Sequence, residues 1–512
     1  MPAGVPPLVA AAPSNCYQSV SDRFGAVKKL SLTILGILAT LAGVILVRAV
    51  TFPSRQLQVG PAQAIAIDRD EAVKRLSEAI QFKTISFQEP TEASAQEFAR
   101  LHVFLAKSFP RVHQQLTKET VNGHSLLYTW NGKDAHLKPM LLMGHMDVVP
   151  VDAPTERQWT HPPFAGEIAD GYIWGRGTMD DKVSVLGILE AVEYLLSAGF
   201  QPQRTIYLAF GHDEEIGGHN GAGKIAELLR ARGVELEYIL DEGMNIVDGI
   251  IPGIAAPAAL IGIAEKGYLS LELSVETAGG HSSIPPIDTA IGIISRALQR
   301  LEAAPFPARL SGPTRRMLEF LGPEMAWAKR LPLANLWLFD PLVRKHLAAS
   351  PLTNAVIRTT LAPTLFNAGV KENVLPTQAR AAVNLRILPG ETVAGVTENV
   401  RKTIDDPRVK IAALPIHMEP SAISDIEVAS FRLIHRTIRQ AIPEALVAPA
   451  LLVAATDSRH YAALTKNIYR FLPVTLRPDD ARRYHGINER ISLQDYERCV
   501  RFYLQLIRNS QP

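Results

Sequence analysis

The sequence predicts an α/β protein: an open mixed sheet flanked by helices, with an α+β domain inserted into it and a membrane-spanning helix ahead of both. Three observations lead there. Short apolar runs alternate with helical segments through the first half of the chain, an alternating stretch changes that texture near the middle, and one long uncharged run stands near the amino terminus. At 512 residues the chain is too long for one compact core. Its 47% hydrophobic and 20% charged residues are ordinary for a folded protein, and a net charge of +2 gives no footprint for nucleic acid. Cys16 and Cys499 are the only cysteines, which excludes both a disulfide framework and a thiolate zinc site. Any metal must be held by His and carboxylates.

Residues 1–29 read as an amino-terminal tail, 30–50 as an anchor and 51–64 as a linker. From Leu30 to Val47 run 18 residues without a charge, roughly 27 Å of helix and enough for a hydrocarbon core. Arg23, Lys28 and Lys29 precede the run and Arg48 and Arg55 follow it. The cluster before it favours a cytoplasmic amino end, with the rest of the protein on the non-cytoplasmic side. A cleaved signal peptide and a buried core helix are the rival readings; the expectation is a single-pass membrane protein.

Glu71 to Ile80 predicts a helix, since Ala72, Leu76 and Ile80 recur every four residues. The runs Met140–Met143, Thr205–Phe210 and Tyr238–Leu240 suit buried parallel strands. Between the first two, Val185, Leu189, Val192 and Leu196 line one face of a helix that Gly199 closes. Tyr268 to Val275 then alternates, as a half-exposed antiparallel strand does, and Ala381 to Leu388 is similar. A Pro-rich, Trp-containing insertion (304–351) lies between them. The expected division is a first catalytic part at 65–260, an inserted domain at 261–415, and a second catalytic part at 416–512.

Several polar segments follow apolar runs directly: Gly144-His145-Met146-Asp147, Gly211-His212-Asp213-Glu214-Glu215, Leu240-Asp241-Glu242-Gly243 and Tyr484-His485-Gly486. A further loop, Gly175 to Lys182, leads into the helix with Gly199 at its end. Ligands of open α/β sheets gather at the carboxyl ends of the strands. One crevice therefore collects two His and several carboxylates, a donor set suited to zinc. Each segment alone is weak, because a lone His or Glu pair is more often surface or satisfied core.

Taken together, His145-x-Asp147, Gly-Arg-Gly-x-x-Asp180-Asp181-Lys182, Asp213-Glu214-Glu215-x-Gly-Gly and the late His485 resemble the two-zinc hydrolase family of aminoacylase, carboxypeptidase S and succinyl-diaminopimelate desuccinylase. The resemblance covers about residues 65 to 512 and implies a zinc-peptidase-like catalytic domain with an inserted lid and dimerisation domain. It implies two Zn(2+) per chain. Asp180 would bridge them, His145 and Asp241 would complete one site, and Glu215 and His485 the other. Glu242 also aligns with a family Glu, leaving the choice between it and Asp241 open. Asp147 would fix the His145 ring, and Glu214 would act as the proton-transferring base on a metal-activated water.

The resemblance further implies that His281, in Gly279-Gly280-His281-Ser282-Ser283, reaches the active site, from the partner subunit in dimeric relatives. Asn373 would contact substrate. Arg386 and Arg459 are candidates for clamping a substrate carboxylate, against a plain ion-pair reading of each. Gly218 to Lys224 mimics a phosphate loop, but Ile225 stands where a magnesium-binding Ser or Thr belongs, so a helix start is expected there. His281-Ser282-Ser283 has no Gly-x-Ser-x-Gly elbow to support a serine hydrolase.

The activity implied is hydrolysis of an amide next to a free carboxylate. Carboxypeptidase S-like release of the last residue of a small peptide is the first reading, and hydrolysis or synthesis of N-fatty-acyl amino acids the second. The insertion, the Asp241-Glu242-Gly243 form and the amino-terminal span resemble the carboxypeptidase S branch most. Trp327, Trp337, Leu338 and Phe339 are expected to pack the insertion's own core rather than line an acyl pocket. A membrane-anchored binding protein on an inactive hydrolase fold would need a broken metal or base position, and none is evident.

Overall fold

The computed structural model describes residues 4–6, 15–60, 62 and 66–511, the side chains of 15–27 excepted. Its frame is a ten-stranded mixed sheet. The strand Met140–His145 lies between Ile206–Gly211 and Tyr238–Asp241 and pairs with both in parallel. Antiparallel Ser125–Trp130 and Thr117–Val121 extend the sheet beyond Ile206–Gly211. On the other side Ile468–Arg470 joins Tyr238–Asp241 in parallel, and Ala258–Glu265 follows with Leu446–Leu452 parallel to it. The three short apolar runs are thus neighbours. Met140, Leu141, Leu142, Ile206, Leu208 and Ile239 are all fully buried, which explains why these segments read as continuous apolar runs rather than alternation.

The helix Lys182–Ser197 is buried along nearly its whole circumference, packed by Leu493–Asn509 and Arg69–Ile80. Gly187 permits the closest approach: a Cβ there would sit 2.9 Å from Cys499 Sγ. Gly199, at φ +69°, ends the helix in the left-handed conformation that a side chain resists. Arg75 forks onto Glu190 at 2.6 and 2.7 Å, tying Arg69–Ile80 to this helix.

A separate four-stranded antiparallel sheet runs Thr360–Ala368, Gln378–Ile387, Gly267–Glu276, Lys410–Met418. Leu269, Leu271, Leu273 and Val275 point into a second core, covered by Ala290–Ala303 and Val393–Ile404. The expected limits at 261 and 415 both fall inside strands: Ala258–Glu265 belongs to the large sheet, and Lys410–Met418 to the small one. The segment between Ala304 and Pro351 is helical, with elements Gly312–Leu321, Trp327–Ala334 and Leu336–Leu347.

The amino-terminal helix spans Asn15–Val50, and its portion Lys28–Val50 has mean hydropathy 2.5 with most of its side chains exposed, Ala49 near its end being buried. The buried-core-helix reading of this segment therefore does not hold. An apolar helix near the amino terminus remains, of the length that an anchor or a signal sequence requires.

Candidate functional site

Parallel pairing puts the carboxyl ends of three strands side by side, and each delivers polar residues there: His145, the segment Gly211 to Glu215, and Asp241-Glu242. Asp180 comes from the loop before Lys182–Ser197, joined to Asp181 by a cis peptide bond. His485 arrives from the far end of the sequence. Asp180 sits between the two imidazoles: Oδ1 lies 2.9 Å from His145 Nε2 and Oδ2 lies 3.1 Å from His485 Nε2. His485 Nε2 is also 3.1 Å from Glu215 Oε2. Two donor groups result, each with its ligand atoms within 4.8 Å of one another: His145, Asp180 and Glu242, and Asp180, Glu215 and His485.

Asp241 does not join the first group. It is the last residue of its strand, and its neighbour Glu242 points the other way. Asp241 Oδ2 instead accepts the backbone N–H of Ser458 at 2.9 Å. The structure brings Glu242 to the cluster in place of the expected Asp241.

The donors suit a metal pair. Glu215 Oε1 is buried without a hydrogen-bond partner, a cost of about 1–3 kcal/mol that a bound cation would remove. Burial of Glu242 beside Asp180 and Asp181 holds its carboxyl well above the usual range, which again calls for a positive charge. Asp180 and then Glu215, by hydrogen bonding, raise His485 to about 10. Burial opposes a charge on His145, yet the hydrogen bonds to Asp147 and Asp180 outweigh it and hold the ring well above its ordinary value.

Asp147 is completely buried and does several jobs at once. Its Oδ1 lies 3.3 Å from His145 Nδ1, and the Asp147 carbonyl oxygen lies 3.0 Å from the same nitrogen. Its carboxylate also accepts the N–H of Glu214 at 3.2 Å, the N–H of Glu215 at 3.1 Å and the Ser86 hydroxyl at 2.7 Å. One side chain thereby fixes a candidate ligand and orients the Glu214-Glu215 turn. The Glu214 carboxylate makes no hydrogen bond among the described residues. Burial, with Asp457 and Glu215 nearby, pushes it well above the ordinary Glu range, away from the acceptor-only state of a surface carboxylate.

Residues to which the sequence assigned no role hold this arrangement. Glu489 accepts the N–H groups of Gly177 and Met179, both at 2.9 Å, and pairs with Arg176 at 2.6 Å. Arg176 also donates to the carbonyls of His485 and Gly486 at 3.1 and 3.2 Å. The loop bearing Asp180 and the turn bearing His485 are thus locked together. Glu489 lies four residues after His485, and that proximity was the only signal available. Asp181 supports the cluster from behind, accepting from Ser184 at 2.5 Å and from the His145 N–H at 3.4 Å. Asp457 is buried with neither carboxylate oxygen partnered, pushed up by burial and by Asp241.

The inserted sheet's candidates are placed unequally. His281 and Asn373 come together on the ribbon Gly280–His281 with Val374–Leu375, where the Ser282 N–H donates to the Asn373 carbonyl at 3.1 Å. His281 is exposed and its Nδ1 bonds Ser283 at 2.8 Å in its own segment. Asn373 Oδ1 is buried without a partner. Arg386 lies over the Tyr268 ring, 4.8 Å from its centroid, and Arg459 donates to the Gly217 carbonyl at 2.6 Å. Neither arginine forms an ion pair among the described residues, so the plain ion-pair reading of both falls away. The helix Ala222–Ala231 begins where the phosphate-loop mimic stands.

Comparison with known proteins agrees with the geometry. Residues 141–509 match the model of peptidase family M20/M25/M40. A probable carboxypeptidase S-like protein of Dictyostelium discoideum is 43% identical over 448 residues, 86% of this chain and 85% of that one. An N-fatty-acyl-amino acid synthase/hydrolase of Danio rerio is 45% identical, covering 86% of each chain. The crystal structure of an M20 family metallo-carboxypeptidase from Sulfolobus solfataricus superposes with a TM-score of 0.64 at 18% identity, covering 86% of this chain and 98% of that one. By these matches the chain belongs to the M20/M25/M40 family of metal-dependent peptidases and amidohydrolases.

Proposed function

We propose that the protein is a two-zinc hydrolase of an amide bond adjacent to a free carboxylate. The observation that carries this reading is Asp180, whose two oxygens face His145 and His485 separately, with Glu214 unpaired beside them. His145, Asp180 and Glu242 would hold one ion, and Asp180, Glu215 and His485 the other. Bound zinc supplies Lewis acidity and lowers the pKa of water toward neutrality.

The protein's own groups do the rest. Glu214 takes the proton of the attacking water and returns it to the departing nitrogen, a task that suits a carboxyl held above its ordinary range. Asp147 keeps the His145 ring and the Glu214 backbone in register. His281 would meet the carbonyl oxygen, delivered by a partner subunit in a homodimer formed through the inserted domain. Asn373 would contact substrate, and Arg386 and Arg459 would receive its carboxylate; freedom from ion pairs leaves both arginines able to do so.

Small peptides cut from the carboxyl end are the first substrate class proposed, and N-fatty-acyl amino acids the second. The relatives named for each activity are about equally similar to this chain. The amino-terminal helix is proposed as a single-pass anchor with the catalytic body on the non-cytoplasmic side. The test compares a blocked dipeptide with an N-oleoyl amino acid, using wild type and Glu214→Gln with metal content measured in parallel. Glu214→Gln is expected to keep its metal and lose about 10²–10⁴-fold in kcat on whichever substrate is used. Undiminished turnover in that variant would remove Glu214 from the mechanism.

A further inference from the structure

The helices inserted between Ala304 and Pro351 turn large apolar side chains outward. Trp327, Trp337, Leu338 and Leu342 are 47%, 57%, 39% and 58% exposed. The expectation that the tryptophans and Leu338 pack a local core therefore fails; Phe339 alone of the four does so, beside Val343 and Ile357. On the helix Leu336–Leu347 the exposed residues are Trp337, Leu338, Pro341, Leu342, Lys345 and His346, apolar toward the helix start and polar at its end. That spacing places them on one face, opposite the one that packs inward. A helix with two apolar faces has one face left to cover.

Where this face sits says what covers it. Asn335, fully buried, donates from Nδ2 to the Ile45 carbonyl at 3.0 Å, and its Oδ1 accepts the Trp337 indole N–H at 3.3 Å. Arg48 donates to the Ala334 carbonyl at 3.3 Å, and Arg330 donates to the carbonyls of Val50 and Phe52 at 3.2 and 3.0 Å. The inserted helices are thus pinned to the last two turns of the apolar amino-terminal helix. Ile45 lies two residues before the uncharged run ends at Val47, about 3 Å along the axis. Trp337 is consequently held at the level where an anchor leaves the hydrocarbon, the depth at which Trp rings concentrate. Arg330 and Arg48 lie one to two turns further out, at headgroup depth.

Resting on the anchor reading of the amino-terminal helix, we propose that Trp337, Leu338 and Leu342 form a second membrane contact, inserted into the interfacial layer of the same bilayer. The catalytic body is then clamped against the lipid surface instead of swinging on the linker that follows Val50. The bilayer is the occupant because the face is continuous with a helix most of whose apolar side chains, Leu35, Leu38, Val44 and Val47 among them, are themselves exposed.

The remaining tryptophans make a direct test available, since Trp130, Trp159 and Trp174 are only 4%, 8% and 4% exposed. The full chain is reconstituted into phosphatidylcholine–phosphatidylglycerol vesicles, with and without phosphatidylcholine brominated at carbons 6 and 7 of one acyl chain. Flotation reports the anchor, and bromine quenching of tryptophan emission reports the inserted face. The wild type is expected to float and be quenched. Trp337→Phe should lose at least half of that quenching while still floating, and Trp327→Phe should keep most of it. A wild type that floats without bromine quenching, its exposed tryptophans open to aqueous acrylamide, overturns the second contact and leaves the anchor standing. A chain that fails to float overturns both.

Discussion

Asp241 and Glu242 show how one peptide bond decides chemistry. Both are acidic, Asp241 ends a buried strand and Glu242 follows it, and successive side chains there point to opposite sides. Asp241 is engaged by the Ser458 backbone, whereas Glu242 lies with His145 and Asp180. Glu242→Gln is accordingly expected to reduce bound metal from two ions toward one per chain, and Asp241→Asn to leave two, as elemental analysis of dialysed protein would show. The reverse result would return the ligand role to Asp241. Glu214 and Asp147 were legible in the sequence because each flanks a ligand. Ser86 was not, since a lone serine after Ile85 carries no pattern and reaches Asp147 only through the fold.

At the scale of elements, the site depends on two loops that must stay joined. Arg176 is 3% exposed and bridges Glu489 to the His485 turn, so Arg176→Met leaves Glu489 buried without its charge partner. A loss of about 3–5 kcal/mol in unfolding free energy is expected, together with weaker metal binding on the His485 side. Denaturant titration and metal analysis check the two parts separately. The helix Ala429–Ala441 carries another buried polar group, His435, 2% exposed beside Phe320 and Phe431. Burial, with Arg439 adding, lowers His435 from 6.5 to about 4. Between those values the unfolded chain binds a proton that the folded chain does not, so stability rises with pH and is lost as pH falls from 6.5 toward 4. The loss amounts to about 2 kcal/mol at pH 5. His435→Gln should flatten the fall in Tm between pH 7 and pH 5; an unchanged slope would assign the acid sensitivity elsewhere.

For the whole molecule, the proposed donors come from positions as distant as 145 and 485, so a bound metal would link parts of the chain far apart in sequence. Chelation is expected to lower Tm by several degrees, since a ligand at about 1,000 times its Kd contributes roughly 4 kcal/mol to the folded state. Scanning calorimetry with and without chelator, then with zinc restored, tests this, and a Tm indifferent to metal would contradict it. The sequence by itself determined the α/β class, the parallel strands and most of the candidate donors that the fold brings together. Apolar periodicity and the residues that follow each run are local properties, written within a few positions of one another. Only the tertiary structure decided that Glu242 rather than Asp241 faces His145, that Glu489 and Arg176 hold the site together, and that the insertion's tryptophans face outward. Each of those depends on which side of an element a residue lands and what the fold brings opposite it, and such long-range juxtapositions leave no mark in the neighbouring sequence.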